Sequence, residues 1–256
     1  TVESIPLIAS SILSKKFAEG CEGRVLDVKV GRGAFMEELE DARELARTMI
    51  EIGRGMNRPI RALLSAMDQP LGRAVGNAVE TREAIEPLEG GGPPDLRDLT
   101  VELGAEMLLM GGVEEELDAA RARIVGAIES GAGRERFEEM VRQQGGDLRG
   151  LPEAARRVPV PAPRAGYVHA IDAREVGLAA MALGAGRLRK EDHIDPTVGF
   201  VLSKKVGDRV EQGEPLAIAH LSERPGSEGP LRRFSEAFTI GDEAPSPGPL
   251  ILEKIS

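Results

Sequence analysis

The sequence predicts an α/β protein, and three patterns along the chain lead to that expectation. A short β-branched segment, Arg24–Val30, and a second strand candidate, Pro59–Ala66, enclose a stretch with helical periodicity over residues 37–56. A longer helical pattern follows over residues 95–144, interrupted twice by glycines. After residue 150, short alternating segments separated by Gly and Pro dominate. Strands that alternate with helices favour a parallel or mixed sheet.

We place a domain boundary near residue 150, where glycine and proline become frequent. Residues 1–150 are expected to form a large α/β domain, with a mixed sheet flanked by helices. Residues 151–256 are expected to form a smaller α+β module with a barrel-sandwich or hammerhead-like arrangement. In this module we expect one helix over 174–183 and a second around 234–238, and we assign the last segment, LILEKIS, to its strands.

The composition excludes several classes of function. The chain of 256 residues is 41% hydrophobic and 30% charged, with a net charge of −10. It has no tryptophan and no basic tract, and aromatic residues make up 3%, so nucleic acid is not an expected partner. The single cysteine, Cys21, cannot form an internal disulfide and is compatible with a reducing cytoplasm. No apolar run reaches the length of a membrane span, so we expect a cytoplasmic protein without a membrane partner.

The segment SIPLIASSILSKK predicts a helix that begins at Ser4 and Pro6, with the serine side chain as its cap. Apolar residues occur around most of its circumference, so we expect it to be buried on several sides. Ile8, Ser11 and Lys15 lie on a single stripe of this helix. Either Lys15 extends along the helix to solvent, or the stripe is a pocket wall that offers a hydroxyl and an ammonium to a ligand.

Two glycine-containing loops are further candidates for binding. GRGAF, residues 31–35, could admit phosphate to its backbone N–H groups, or it could be a plain turn between a strand and a helix. MDQPLGRAVGNAVE, residues 67–80, could present carbonyls between Leu71 and Ala74 to a monovalent cation, with Glu83 nearby. The alternative is an ordinary glycine loop that leads into a helix near residue 77.

The segment GDRVEQGEPLA is similar to the hairpin edge of biotinyl and lipoyl carrier modules. Such carriers present their modified lysine on a tight turn. We expect Lys204 and Lys205 to lie on the strand before this segment, which excludes a swinging-arm carrier.

Several long segments resemble the pyrimidine-nucleoside phosphorylases, the family that includes thymidine phosphorylase. The similarity runs from SIPLIASSILSKK through VLDVKVGRGAFM, MDQPLGRAVGNAVE and GPPDLRDL to GAGR and VGDRVEQGEPLA, essentially the whole chain. It implies a pentosyltransferase of nucleoside salvage, with inorganic phosphate as co-substrate. Such an enzyme cleaves uridine, thymidine or deoxyuridine to the free base and a (deoxy)ribose 1-phosphate. The resemblance also implies a homodimer.

The resemblance assigns roles to particular residues. Ser11 and Lys15 match the residues that hold the pyrimidine, and Lys15 would stabilise the charge of the departing base as the catalytic group. The apolar residues around the base correspond to Ile8, Phe35 and Met36. The ligands of a monovalent cation, expected to be potassium, correspond to the main-chain carbonyls of Leu71 and Ala74 and the side chain of Glu83.

Members of this family are longer on the N-terminal side, where they carry a Lys-His-Ser phosphate loop and an arginine just upstream of the position of Thr1. We therefore expect a C-terminal portion of a complete enzyme, inactive in phosphorolysis by itself because most of the phosphate site is missing. Two alternatives stay open. One is a nucleotide phosphorylase that acts on AMP or CMP, and the other is a non-catalytic protein or fragment that binds the base.

Overall fold

The computed structural model of the protein describes residues 4–256, so Thr1 lies outside the described residues. The helices, numbered in chain order, are α1 Ile5–Ala18, α2 Leu39–Gly55, α3 Ala78–Ile85, α4 Pro94–Met110, α5 Leu117–Glu129, α6 Ala132–Gln143, α7 Ala173–Ala180 and α8 Glu228–Glu236. The strands are β1 Arg24–Val30, β2 Ile60–Ala66, β3 Ala74–Gly76, β4 Arg156–Pro161, β5 Gly166–Ile171, β6 Gly199–Leu202, β7 Arg209–Val210, β8 Pro215–Leu221, β9 Phe238–Gly241 and β10 Ile251–Ile255. A π-helical turn, Met181–Ala185, continues α7.

The α/β class with a smaller α+β portion is confirmed. The first strand, the helix after it and the second strand lie where the hydrophobic pattern predicts them, as β1, α2 and β2. The helical stretch over residues 95–144 is also confirmed, as α4, α5 and α6. Within residues 4–256, no helix combines the length and the apolar character that a membrane crossing requires.

The chain folds into two compact units that interleave along the sequence. The first unit comprises the described part of residues 1–67 together with Arg97–Ala127 and Pro249–Ser256. The second unit comprises Asp68–Leu96 and Ile128–Gly248. The two units are groups of residues that contact one another in space, and they are not the two domains expected from the sequence. The predicted domain boundary near residue 150 stays a prediction.

The first unit is built on a three-stranded mixed sheet in the order β1-β2-β10. β1 and β2 are parallel over their full length, and β10 pairs antiparallel with the other edge of β2. α1 and α2 cover one face of this sheet, where Leu13, Met49 and Leu64 are fully buried. The assignment of LILEKIS to the C-terminal module was wrong. Its apolar alternation predicts a strand correctly, but a strand pattern does not say which sheet the strand joins.

Charged side chains tie β10 to the helices of the first unit. Lys254 of β10 contacts Glu102 at 2.8 Å and Glu106 at 3.1 Å. Arg121 of α5 donates two hydrogen bonds to Glu102, at 2.5 and 2.9 Å, and Arg61 of β2 contacts Glu106 at 2.9 Å. Each carboxylate therefore serves two cations, and Lys254 joins the two carboxylates into one network.

Glu102→Gln is expected to reduce the free energy of unfolding by about 1 kcal/mol at neutral pH. The hydrogen bond from Arg121 lowers the pKa of Glu102 below its ordinary value. The carboxylate therefore contributes stability above the ordinary glutamate pKa, and this contribution is lost as pH falls through the lowered folded-state pKa. Urea unfolding followed by circular dichroism, at neutral and at acidic pH, measures the difference between the two proteins.

The control for this substitution is Glu115→Gln, because Glu115 is exposed in the same unit. We expect it to leave stability unchanged at both pH values. The interpretation fails if the gap between wild type and Glu102→Gln persists undiminished in acid.

The second unit contains two antiparallel sheets, in the orders β3-β6-β8-β4 and β7-β5-β9. Its core includes three phenylalanines, Phe200, Phe234 and Phe238, which pack as a cluster. Sequence analysis placed a helix around residues 234–238, and this is correct for Phe234 in α8 but wrong for Phe238. The helix ends at Glu236, and Phe238 begins β9, which pairs with β5.

Candidate functional site

The loops that follow β1 and β2 meet at one edge of the first unit's sheet. β1 and β2 are parallel, so their carboxyl ends, Val30 and Ala66, lie side by side. The Met67 amide donates to the Val30 carbonyl at 2.6 Å, and the Gly33 amide donates to the Met67 carbonyl at 2.9 Å. In open α/β sheets, ligands bind at the carboxyl ends of the strands. The GRGAF loop therefore lies at the edge where a substrate site is expected.

α1 carries the predicted base-binding pair Ser11 and Lys15. Both side chains are exposed, and Lys15 Nζ lies 3.5 Å from Ser11 Oγ. Helical side chains point toward the helix N-terminus, which brings Lys15 back over the preceding turn. The structure thus joins the ammonium and the hydroxyl into one polar patch on α1.

The expectation that α1 is buried on several sides was wrong. Only Ala9 and Leu13 are fully buried, and Leu7 is 50% exposed. Apolar residues around the circumference do not show which face the rest of the chain covers, and here α1 packs by one face. Ser4 is the N-cap residue, but its side chain makes no capping hydrogen bond.

Arg24 fixes the end of this helix. Its guanidinium donates to the Lys16 carbonyl in the last turn of α1 and lies 4.8 Å from the centre of the Phe17 ring. A cation at a helix C-terminus is favourable because the last carbonyls carry partial negative charge. Arg24 is buried at the start of β1 and so anchors the helix that carries Lys15 to the sheet.

The three apolar residues predicted around the base differ in burial. Ile8 is half-buried and packs on the same apolar cluster that contains Met36, which is 6% exposed. Phe35, the neighbour of Met36, is 77% exposed. The structure therefore brings Ile8 and Met36 into one cluster and leaves the Phe35 ring on the surface, where a planar ligand could stack on it.

A polar trio on the sheet was missed by sequence analysis. Lys29 of β1 contacts Asp27 at 2.7 Å and donates to Ser65 Oγ of β2 at 3.0 Å, and Ser65 in turn donates to Asp27. Asp27 and Lys29 occupy alternate positions of RVLDVKV, so both point to the face opposite Val28. The signal for this trio was two charges inside an otherwise apolar strand.

The predicted cation loop lies in the second unit, and Glu83 of α3 organises it. Glu83 is buried, and its Oε1 accepts hydrogen bonds from the Arg73 amide at 2.7 Å and the Ala74 amide at 3.0 Å. A Cβ atom on Gly72, whose φ is +67°, would lie 2.3 Å from Glu83 Oε2. The loop therefore needs glycine at position 72 to admit the carboxylate.

The donor chemistry of this loop fits a monovalent cation. Burial raises the pKa of Glu83, the hydrogen bonds from the Ala74 and Arg73 amides lower it, and the nearby Glu86 and Asp95 charges raise it, so a further positive charge would favour the ionised carboxylate. A bound cation would supply that charge among carbonyl oxygens. No group of three or more His, Cys, Asp or Glu side chains suited to a metal ion occurs in the part of the chain that the structure describes.

A lysine that sequence analysis placed on a strand enters the same loop. Lys204 and Lys205 lie beyond the end of β6, in its connection to β7, so their assignment to the strand was wrong. Lys205 Nζ donates to the carbonyls of Pro70 and Gly72. No sequence signal indicated this, because the contacts join positions more than a hundred residues apart.

Comparisons with known proteins match both halves of the chain. Residues 1–134 match the family described as glycosyl transferase family, a/b domain. Residues 167–241 match the family described as pyrimidine nucleoside phosphorylase C-terminal domain. The first range includes α1 with Ser11 and Lys15, the GRGAF loop and Glu83. The second range includes Lys205.

Curated relatives include the pyrimidine-nucleoside phosphorylases of Staphylococcus aureus strains USA300 and COL. Each is 47% identical to this chain over 253 residues, which is 96% of this chain and 58% of the relative. The chain therefore spans less than two thirds of the length of these relatives. These matches confirm the resemblance of the sequence to the pyrimidine-nucleoside phosphorylases.

Proposed function

Because the chain belongs to the glycosyl transferase family through its a/b domain, we propose that it forms part of a pyrimidine-nucleoside phosphorylase. The reaction is the attack of inorganic phosphate on the anomeric carbon of a pyrimidine nucleoside such as uridine, thymidine or deoxyuridine. The products are the free base and a (deoxy)ribose 1-phosphate. The observation that carries the proposal is the paired ammonium and hydroxyl of Lys15 and Ser11, exposed one turn apart on α1.

The role of this pair follows from the charge that develops on the base. As the glycosidic bond breaks, the bonding electrons leave with the pyrimidine and spread onto its carbonyl oxygens. An ammonium at Lys15 and a hydroxyl at Ser11 would stabilise this charge more than they stabilise the neutral substrate. Fixed donors of this kind contribute on the order of 3 kcal/mol each to the transition state.

Ile8, Met36 and Phe35 would form the apolar surroundings of the base. Ile8 and Met36 already belong to one packed cluster, which gives the pyrimidine ring a rigid wall. Phe35 is free to cover the ring from the other side, because its side chain is exposed. Their role is to exclude water from the charged pair, which strengthens its electrostatic effect.

We also propose the remaining properties that the resemblance implies. A potassium ion would be held by the carbonyls of Leu71 and Ala74 and by Glu83, where it would neutralise the buried carboxylate and order the loop. The assembly is a homodimer in the cytoplasm, with phosphate as co-substrate.

The test compares Lys15→Met with the wild-type chain in calorimetric titrations with two bases. Uracil is neutral at neutral pH, whereas 5-nitrouracil is an anion because its nitro group withdraws electrons, and it imitates the departing base. We expect Lys15→Met to bind the anion about 100-fold more weakly and to change uracil affinity less. Base binding is the readout because it does not require the phosphate site.

Lys16→Met is the matched control, because Lys16 lies next to Lys15 and pairs with Glu19 at 3.1 Å on the helix surface. It should bind both bases as the wild type does. Equal losses for the two bases in Lys15→Met, or no base binding by the wild-type chain, would refute the proposed role.

A further inference from the structure

Lys205 places its ammonium among the oxygens of the loop after β2. Its Nζ donates to the Pro70 carbonyl, to the Gly72 carbonyl at 2.6 Å and to Asp95 Oδ2 at 3.1 Å. An ammonium has three N–H donors, so these acceptors match its full capacity. The Lys205 side chain is 17% exposed, so the charge lies mostly away from solvent.

Further hydrogen bonds around Lys205 hold the loop over residues 69–73 in place. Asp95 Oδ2 also accepts from the Gly72 amide at 3.1 Å, and the Val206 amide donates to the side-chain oxygen of Gln69 at 3.1 Å. Without the ammonium, the Pro70 and Gly72 carbonyls would lose this donor, and Asp95 would keep its amide hydrogen bonds but lose its ion pair. Such an arrangement is unfavourable in a partly buried site.

Two carboxylates lie within electrostatic reach of this ammonium. Burial lowers the pKa of Lys205, whereas the direct pairing with Asp95 and the charge of Glu83 favour its protonated form. The Arg73 guanidinium is a second positive charge near this ammonium, so the carboxylates of Asp95 and Glu83 face two cations.

Lys204 provides an internal comparison. Its side chain is equally buried, at 17% exposed, but its Nζ contacts Glu214 at 2.6 Å and the Arg209 carbonyl at 2.8 Å. These partners belong to the connection and strands around β7, and none of them belongs to the loop at 69–73. The two neighbouring lysines thus have equally exposed side chains and differ in the oxygens that they contact.

We propose that Lys205 is a tethered monovalent cation, whose ammonium occupies an oxygen site formed by Pro70, Gly72 and Asp95. In its absence, the site would take a free cation of similar size, such as ammonium, methylammonium or potassium. This site is distinct from the proposed potassium ligands Leu71, Ala74 and Glu83. The inference therefore does not depend on the catalytic function or on potassium binding by the wild type.

The experiment removes the tether and supplies the cation from solution. Lys205→Ala and Lys204→Ala are melted in chloride salts of ammonium, methylammonium, potassium, sodium and tetramethylammonium at constant ionic strength. Tyr167 is the only tyrosine, there is no tryptophan, and β5 lies in the second unit, so its fluorescence reports on that unit. We expect Lys205→Ala to lower the Tm by about 5 °C in tetramethylammonium. Ammonium and methylammonium should restore at least half of this loss.

Lys204→Ala should show no recovery that depends on the identity of the cation. The response of the wild type to potassium is subtracted, because it measures the separate site at Leu71, Ala74 and Glu83. The proposal would be overturned if the difference in Tm between the wild type and Lys205→Ala were the same in ammonium, methylammonium and tetramethylammonium.

A second measurement applies if Lys205→Ala does not fold in sodium chloride. The refolding yield is then compared in ammonium and tetramethylammonium chloride. A higher yield in ammonium supports the tethered cation, and equal yields contradict it.

Discussion

Phe234→Ala is expected to lower the free energy of unfolding of the second unit by about 4 kcal/mol. Phe234 is fully buried, and its ring stacks on Phe200 with 4.1 Å between centroids and an angle of 18°. It also contacts Phe238, with 5.3 Å between centroids. Truncation removes both ring contacts and leaves a cavity between α8 and the strands that carry its neighbours.

Urea unfolding followed by Tyr167 fluorescence measures this loss in the unit concerned. Leu188→Ala is the control, because Leu188 is a large apolar residue of the same unit that is 65% exposed. It should change the midpoint little. A loss for Phe234→Ala below about 1 kcal/mol would show that the site collapses around the missing ring.

Glu83→Ala is expected to cost about 3 kcal/mol in the same assay, because it leaves the buried Ala74 amide and the part-buried Arg73 amide without their acceptor. Glu83→Gln separates the hydrogen-bond acceptor of this side chain from its negative charge. Its amide oxygen can still accept from both N–H groups, but it carries no charge. We therefore expect Glu83→Gln to retain most of the stability in the absence of potassium.

The comparison of the two variants is decisive for the role of Glu83. Equal losses would mean that the negative charge, and not the acceptor oxygen, organises the loop. If the proposed potassium site exists, the wild type should be stabilised by potassium over tetramethylammonium, and Glu83→Gln should lose this selectivity.

Local patterns in the sequence predicted the elements that depend on local causes. β1, α2 and β2 follow directly from hydrophobic periodicity with glycines at their ends, and α4 to α6 follow from helical spacing. The pair formed by Ser11 and Lys15 was also predictable, because helix geometry places such residues one turn apart.

Features that depend on distant contacts could not be predicted in this way. Lys205 looks like one more charged residue beside a strand, and only the fold brings it to Pro70 and Gly72. The exposure of Leu7 shows the same limit, since apolar residues around most of a helix do not indicate which of its faces is covered. LILEKIS was recognised as a strand but assigned to the wrong sheet for the same reason.

The position of β10 has a consequence for the protein during its synthesis. Residues 251–255 complete the sheet that β1 and β2 begin, and Arg43 of α2 pairs with Glu253 across 210 positions of sequence. During synthesis, the edge of β2 that pairs with β10 lacks this partner until residues 251–255 emerge from the ribosome. An open strand edge can pair with other chains, so a premature stop before residue 251 would leave a nascent product prone to aggregation.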